Sequence, residues 1–166
     1  MVRMRSRVQI PIAAPQSDFM IFKSKHPNTI YRVGIKAVIK DESGRVLCVH
    51  DTGDDDMWSL PGGGLDHGDG QRNALARELQ EEIAYKGEFD MEYIDTCIYA
   101  SHAIGAYVLY IIFNVTLKDA YTPIAGVDAK EVAYLTSSSI TAYTDRQADM
   151  IRKFGFDSQI EIPIYK

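Results

Sequence analysis

A chain of 166 residues with 46% hydrophobic and 25% charged residues is long enough for one core and balanced like an ordinary globular domain. No apolar run approaches the ~20 residues of a membrane-spanning helix, and neither a repeat nor a low-complexity tract is present. The net charge of −5 conceals an uneven spread: residues 1–40 hold eight Lys/Arg against Asp18, whereas residues 51–95 hold thirteen acids against Arg72, Arg77 and Lys86. The acidic stretch reads either as a solvated face or as a place for a cation.

Residues 1–27 show no clear period and carry three of the six prolines, so they read as an arm preceding one domain over 28–166. Arg3, Arg5 and Arg7 ahead of Val8, Ile10 and Ile12 sketch a secretion signal, but Gln9, Pro11 and Pro15 interrupt its apolar part. The basic residues of this region carry no nucleic-acid motif. From Ile30 to Lys40, Val33, Ile35, Ala37 and Ile39 alternate, which predicts a half-buried strand. Asp41 to Gly44 is a turn cluster, and Arg45 to His50 is a second strand, so the pair predicts a hairpin. A polar loop over 51–56 leads to a short extended piece, Met57 to Leu60, closed by Pro61.

Gly62 to Gly68 is a glycine-dense loop, and a helix follows from about Gly70 to Ile83. Asp69 is the predicted N-cap. Leu75, Ala76, Leu79 and Ile83 recur at helical spacing, and Gly87 is the predicted stop. Met91 to Ser101 and Ala106 to Leu117 are two further strands, the second apolar enough to be central. A loop over 119–130 precedes a strand from Glu131 to Leu135. Ser137 to Phe154 predicts a second helix with Ile140, Tyr143, Met150, Ile151 and Phe154 on its apolar side, and Gln159 to Tyr165 a terminal strand. Strands mixed with two helices argue for α/β or α+β. Cys48 and Cys97 lie in apolar strand-like runs without zinc-ligand spacing, which predicts buried reduced thiols and a reducing, cytoplasmic setting.

The chemistry is concentrated in Arg77-Glu78-Leu79-Gln80-Glu81-Glu82. Glu78, Glu81 and Glu82 stand at i, i+3 and i+4, so three carboxylates share roughly a third of the helix circumference. Like charges at that spacing destabilise a helix by about 0.2–0.5 kcal/mol per pair. Hard divalent cations, which take oxygen ligands, would remove the repulsion. A Glu-rich solvated helix, with Arg77 supporting Glu81, is the plain alternative. The preceding glycines shift the balance, because they let backbone groups approach a ligand closely and lead into a helix N-terminus suited to phosphate.

This arrangement resembles the Nudix hydrolases. Gly63 opens a box that Arg77-Glu78-Leu79-Gln80-Glu81-Glu82 completes in register, and Trp58-Ser59-Leu60-Pro61-Gly62 looks like the family's lead-in. Two positions depart from the pattern: Asp69 stands for the first Glu, and Ala84 for the Gly after the Glu pair. The first change loosens an expected ion pair with Arg77; the second predicts a helix running on towards Gly87. The resemblance implies an α/β/α sandwich with a mixed central sheet and two main helices. It implies Mg²⁺, with Mn²⁺ as the alternative ion, held by Glu78 and Glu82 with Glu81 supporting and the Gly63 carbonyl adding an oxygen. Arg77 orients the cluster, and Glu78 or Glu131 is the general base. The implied reaction is hydrolysis of a diphosphate linked to another moiety. The implied partner is a small nucleotide derivative, with no membrane and no nucleic acid; a homodimer is left open. A non-catalytic nucleotide sensor, suggested by Asp69 and Ala84, is the second reading.

Overall fold

The computed structural model describes residues 31–51, 57–101, 106–141, 143 and 145–162. The expected arm over 1–27, the aspartates 54–56 and His102 lie outside the described residues. Eight of the first residues described form β1 (Tyr31–Val38). They are followed by β2 (Val46–Asp51), β3 (Trp58–Ser59), helix α1 (Gln71–Ile83), β4 (Phe89–Ser101), β5 (Ala106–Leu117) and β6 (Ala129–Leu135). Two short helices, α2 (Ser137–Ile140) and α3 (Arg146–Met150), lead into a π-helical turn over Ile151–Gly155.

The strands form two three-stranded sheets, β1-β5-β4 and β3-β2-β6. β5 is central, parallel to β1 and antiparallel to β4. Its run of apolar residues suits a strand paired on both edges. Each strand sends alternate side chains to opposite faces. Ile35 and Ala37 of β1, with Leu47 and Val49 of β2, pack with Leu75, Leu79 and Ile83 of α1. Val38, Val46, Cys48 and Ile112 pack on the other face with Ile140, Met150, Ile151 and Phe154. Helical layers on both faces make this the expected α/β/α sandwich. They also bury β1 on both faces from Gly34 to Val38, so it is not the half-buried strand that alternation alone suggested.

The expected hairpin forms only at its base. Asp41 accepts N–H bonds from Ser43 and Arg45 through its side chain, and Gly44 takes a positive φ of 74°. Pairing continues to Lys40–Val46 and then stops. β1 has no edge left for β2: β5 occupies one side and residues 61–65 the other. The loop runs antiparallel to β1, with Ala37 N–H bonded to Pro61 O at 2.8 Å, Ile35 N–H to Gly63 O at 2.9 Å and Leu65 N–H to Val33 O at 2.9 Å. β2 pairs instead with β3 and β6.

Both ends of α1 differ from expectation. Its N-cap is Gly70, with no side-chain cap, because the Asp69 N–H turns back to Asp66 O at 3.0 Å. Its C-terminus does not run to Gly87. Ala84 adopts a left-handed conformation, φ 54°, and the Tyr85 N–H closes on Leu79 O at 3.1 Å. The last carbonyls are taken by the loop before β6: Gly126 N–H bonds Glu82 O at 2.8 Å, Asp128 N–H bonds Glu81 O at 3.1 Å and the Tyr121 hydroxyl bonds Ile83 O at 2.9 Å. A side chain at Gly126 would run into the Glu81 carbonyl.

The second helix is also broken. Thr136 caps α2 and Asp145 caps α3 through Ala148 N–H at 2.9 Å, so two starts replace one continuous helix. Arg152 bridges the break, donating to Ile140 O at 2.7 Å and to Tyr143 O. Residues 159–162 have no regular structure, so the terminal strand is absent there; 163–165 lie outside the described residues.

Two measurements test this packing. An L-residue in the left-handed region costs about 1–2 kcal/mol relative to the ordinary helical one. Ala84→Gly relieves that cost, less the extra freedom glycine gains when unfolded, and is expected to raise stability by about 0.5–1 kcal/mol in urea unfolding. An unchanged or lower midpoint contradicts the conformation. Burial pushes the Cys48 thiol up to about 12 and the Cys97 thiol up to about 11. Both are unpaired and buried, so neither is expected to react with a thiol reagent at neutral pH until denaturant is added.

Candidate active site at the glycine loop and helix α1

The loop approaches its neighbours closely because it lacks side chains. Gly62 has φ 122°, a conformation that favours glycine, and a Cβ there would lie 3.1 Å from the Ile35 carbonyl carbon. A Cβ on Gly63 would lie 2.6 Å from Glu78 Oε1. The missing side chains therefore let α1 bring its carboxylates against the loop. The Gly62 N–H donates to Glu82 Oε2 at 2.7 Å. Arg77 joins the two elements from the outside. Its guanidinium donates to Glu78 Oε1 at 2.8 Å, to Glu81 Oε2 at 3.2 Å and to Gly64 O at 3.1 Å. Its further ion pair, at 3.5 Å, is with Asp66 and not with Asp69.

A lysine supplies the inner positive charge. Lys36 is 5% exposed, the only buried charged side chain among the described residues. Its Nζ donates to Leu60 O at 2.7 Å and to Gly62 O at 2.5 Å. Burying an ammonium is costly unless it is paired and hydrogen-bonded, and here both conditions are met by the loop and the carboxylates beside it. Burial raises the Glu78 carboxyl above its ordinary range, with Arg77 and Lys36 working against the rise. Burial pushes Glu82 up to about 7, only partly opposed by Lys36 and the Gly62 N–H, while Glu78 and Asp51 add to the rise. Burial opposes the charge on Arg77, yet Glu78, Asp66 and Glu81 outweigh it and hold the guanidinium above its ordinary range.

Of the residues predicted from sequence, Gly63, Arg77, Glu78, Glu81 and Glu82 come together. Glu131 is exposed on β6, opposite His50 of β2. The sequence reading passed over Lys36, Asp51 and Asp66. Lys36 had a visible signal, a lone charge inside the apolar run from Gly34 to Ile39. Asp51 and Asp66 had none, since only the tertiary fold sets them beside Glu82 and Arg77.

The donor set fits a divalent cation in chemistry. It offers carboxylate oxygens, which hard cations prefer, and those of Glu78 and Glu82 are partly withdrawn from solvent. The Gly63 carbonyl accepts from Ile35 and retains a second lone pair. No three His, Cys, Asp or Glu side chains among the described residues converge on one point, because Arg77 holds Glu78 and Glu81 while Gly62 holds Glu82.

Comparisons with known proteins agree on a single family. A family model described as NUDIX domain matches residues 30–154. An RNA pyrophosphohydrolase of Teredinibacter turnerae is 40% identical over 58 residues, 35% of this chain and 34% of that protein. An RNA pyrophosphohydrolase of Saccharophagus degradans is 38% identical over 53 residues, 32% of this chain and 31% of that protein. The chain thus matches about a third of the length of these relatives. Among solved structures, the MutT protein of Methanosarcina mazei Go1 superposes with a TM-score of 0.61 at 17% identity, covering 81% of this chain and 100% of that one. The E. coli dihydroneopterin triphosphate pyrophosphohydrolase superposes with a TM-score of 0.63 at 18% identity, covering 78% of this chain and 100% of that one. At these identities the structures establish the fold.

The raised Glu82 carboxyl sets a pH dependence with a definite sign. Its folded value of about 7 lies above the ordinary 4.5, so between the two the folded state binds more protons than the unfolded. The stability held by the protonated form is complete below 4.5 and is lost as pH rises through about 7. In excess chelator, the melting temperature is expected to fall from pH ~5 to pH ~8, by an amount on the order of 3 kcal/mol in stability. Glu82→Gln should flatten that slope and divalent cation should restore the loss at the alkaline end. A variant with the slope of the parent contradicts the assignment.

Proposed function

We propose, from the premise that this chain belongs to the NUDIX family, that it hydrolyses a diphosphate linkage in a nucleotide-type small molecule with a divalent cation, Mg²⁺ or Mn²⁺. One observation carries the proposal: Glu78, Glu81 and Glu82 of α1 are held by Arg77 and the Gly62 N–H against a loop whose glycines leave room for them. Glu78, Glu81, Glu82 and the Gly63 carbonyl are the residues to hold the cation. Bound there, it would neutralise diphosphate oxygens and lower the pKa of an attacking water. Arg77 keeps the Glu78 and Glu81 oxygens facing the loop, and Lys36 offsets charge from beneath. Such phosphoryl transfer depends on positioning and charge stabilisation more than on covalent chemistry. Glu78 is the candidate base nearer the cluster, its Oε1 held by Arg77. Glu131, exposed on β6, is the second candidate.

The two departures from the family pattern favour an enzyme over a sensor. Asp66 supplies the ion pair with Arg77 that Asp69 does not make. Ala84 takes the left-handed conformation that glycine would take, so the helix ends in the same place. Neither change removes a helix carboxylate.

The test is turnover of a panel with Mg²⁺ or Mn²⁺: nucleoside triphosphates, nucleotide sugars, ADP-ribose and 5′-triphosphorylated RNA. The RNA is included because two relatives are named as RNA pyrophosphohydrolases. At least one member is expected to be cleaved, with activity abolished by chelator. Glu78→Gln and Glu82→Gln are each expected to lower kcat about 100-fold or more while the circular dichroism spectrum is kept. No turnover of any member, or full activity of Glu82→Gln, refutes the proposal. A tightly bound but unchanged ligand would favour the sensor.

A further inference from the structure

Arg32 is a half-buried arginine with no ion pair among the described residues. Arg45, Arg72, Arg77 and Arg152 are each ion-paired, to Asp41, Glu88, the helix carboxylates and Asp149. Arg32 has no hydrogen bond or ion pair among the described residues, although charged groups that leave solvent are normally paired. Its guanidinium lies over Gly64: a Cβ there would stand 2.8 Å from Arg32 Nε and 2.9 Å from Cζ. Gly64 in turn bridges to Gly34 of β1, and its carbonyl is held by Arg77 at 3.1 Å. The next residue back, Gly63, is the one against which Glu78 rests. Two consecutive glycines therefore carry, in place of side chains, a carboxylate of the cation site and an unpaired guanidinium. Side chains at consecutive extended positions point to opposite faces, so Glu78 and Arg32 flank the loop from its two sides; on the Arg32 face of β1, Lys36 bonds the Gly62 carbonyl, and the Gly62 N–H holds Glu82.

The surroundings of Arg32 fit the same role. Arg32, Gly34 and Lys36 alternate onto one face of β1. The Tyr110 ring covers Gly34, with its Cε1 2.6 Å from where a Cβ would be. A guanidinium offers five donors in a planar fork that matches two phosphate oxygens. A surface arginine kept only for solubility would not need an absent side chain at Gly64 to make room for it.

We propose that Arg32, seated on Gly64, binds a phosphate of the diphosphate substrate and positions it against the helix carboxylates. The inference rests on the hydrolase reading and specifies its substrate contact.

The experiment separates the two. Wild type, Arg32→Ala, Arg32→Lys and Gly64→Ala are compared for KM and kcat on the best substrate of the panel, and for calorimetric binding of methylenediphosphonate, which cannot be hydrolysed, with Mg²⁺ present. Arg32→Ala is expected to raise KM and weaken methylenediphosphonate binding by about 10- to 100-fold, as loss of a charge-assisted pair would, with a smaller change in kcat. Its melting temperature should change little, since the side chain has no hydrogen bond or ion pair among the described residues. Arg32→Lys should recover part of the affinity, and Gly64→Ala should reproduce the loss by displacing the guanidinium. If the wild type cleaves nothing but binds methylenediphosphonate in an Arg32-dependent way, the hydrolase reading fails and this one stands. If methylenediphosphonate binding is absent, or is the same in Arg32→Ala as in the wild type, this inference is overturned whatever the activity.

Discussion

Three backbone hydrogen bonds hold residues 61–65 along the second edge of β1, and the placement of every charged group in the site follows from that seam. The segment has to lie flat against a strand that is itself buried on both faces. Gly62 would put a side chain into the Ile35 backbone, and Gly63 and Gly64 would put theirs into Glu78 and Arg32. Glycine is required by these close approaches on both sides of one peptide segment. With the seam in place, the Gly62 N–H and the Leu60 and Gly62 carbonyls are fixed donors and acceptors, and Glu82 and Lys36 find their positions on them. The same seam excludes β2 from β1 and so divides the strands between two sheets.

Charge is the second constraint, and it is not balanced by protein groups alone. Glu78, Glu81, Glu82, Asp51 and Asp66 bear on a region where Lys36 and Arg77 are the cations in contact. Glu81 and Glu82 also sit in the last turn of α1, where the helix dipole is negative and carboxylates are disfavoured. The arrangement costs stability in the protein by itself: burial, with Glu78 and Asp51 adding to it, pushes the Glu82 carboxyl up to about 7. Structures retain such a cost where a ligand relieves it. On the proposed function the relieving ligand would be a cation, and Arg32 would complement the phosphate oxygens it brings.

The end of α1 illustrates how a distant segment sets a local boundary. The loop before β6 fills the last carbonyls of the helix through Gly126, Asp128 and Tyr121. That contact stops the helix at Ile83 and forces Ala84 into a conformation alanine does not prefer. It also fixes the rotation of the helix about its axis, and with it the direction of Glu78 and Glu82 relative to the loop.

The layered fold came from the family resemblance; by itself the sequence determined the mix of strands and helices, the central place of β5, the existence of α1 and the spacing of its three carboxylates. Those features are local: hydrophobic period, a run of glycines, and charges at i, i+3 and i+4 depend only on near neighbours in the chain. Ala84 and Asp69 were visible as departures, but their consequences were not, because a cap and an ion pair are decided by what arrives from elsewhere. Only the tertiary structure turned the hairpin into two sheets, broke the second helix at Asp145 and exchanged Asp69 for Asp66 as the partner of Arg77. It alone made Lys36 a buried countercharge and set Arg32 on Gly64. Each of these results from competition for a hydrogen-bonding edge or a desolvated charge among residues far apart in the chain, and that competition has no signature in spacing.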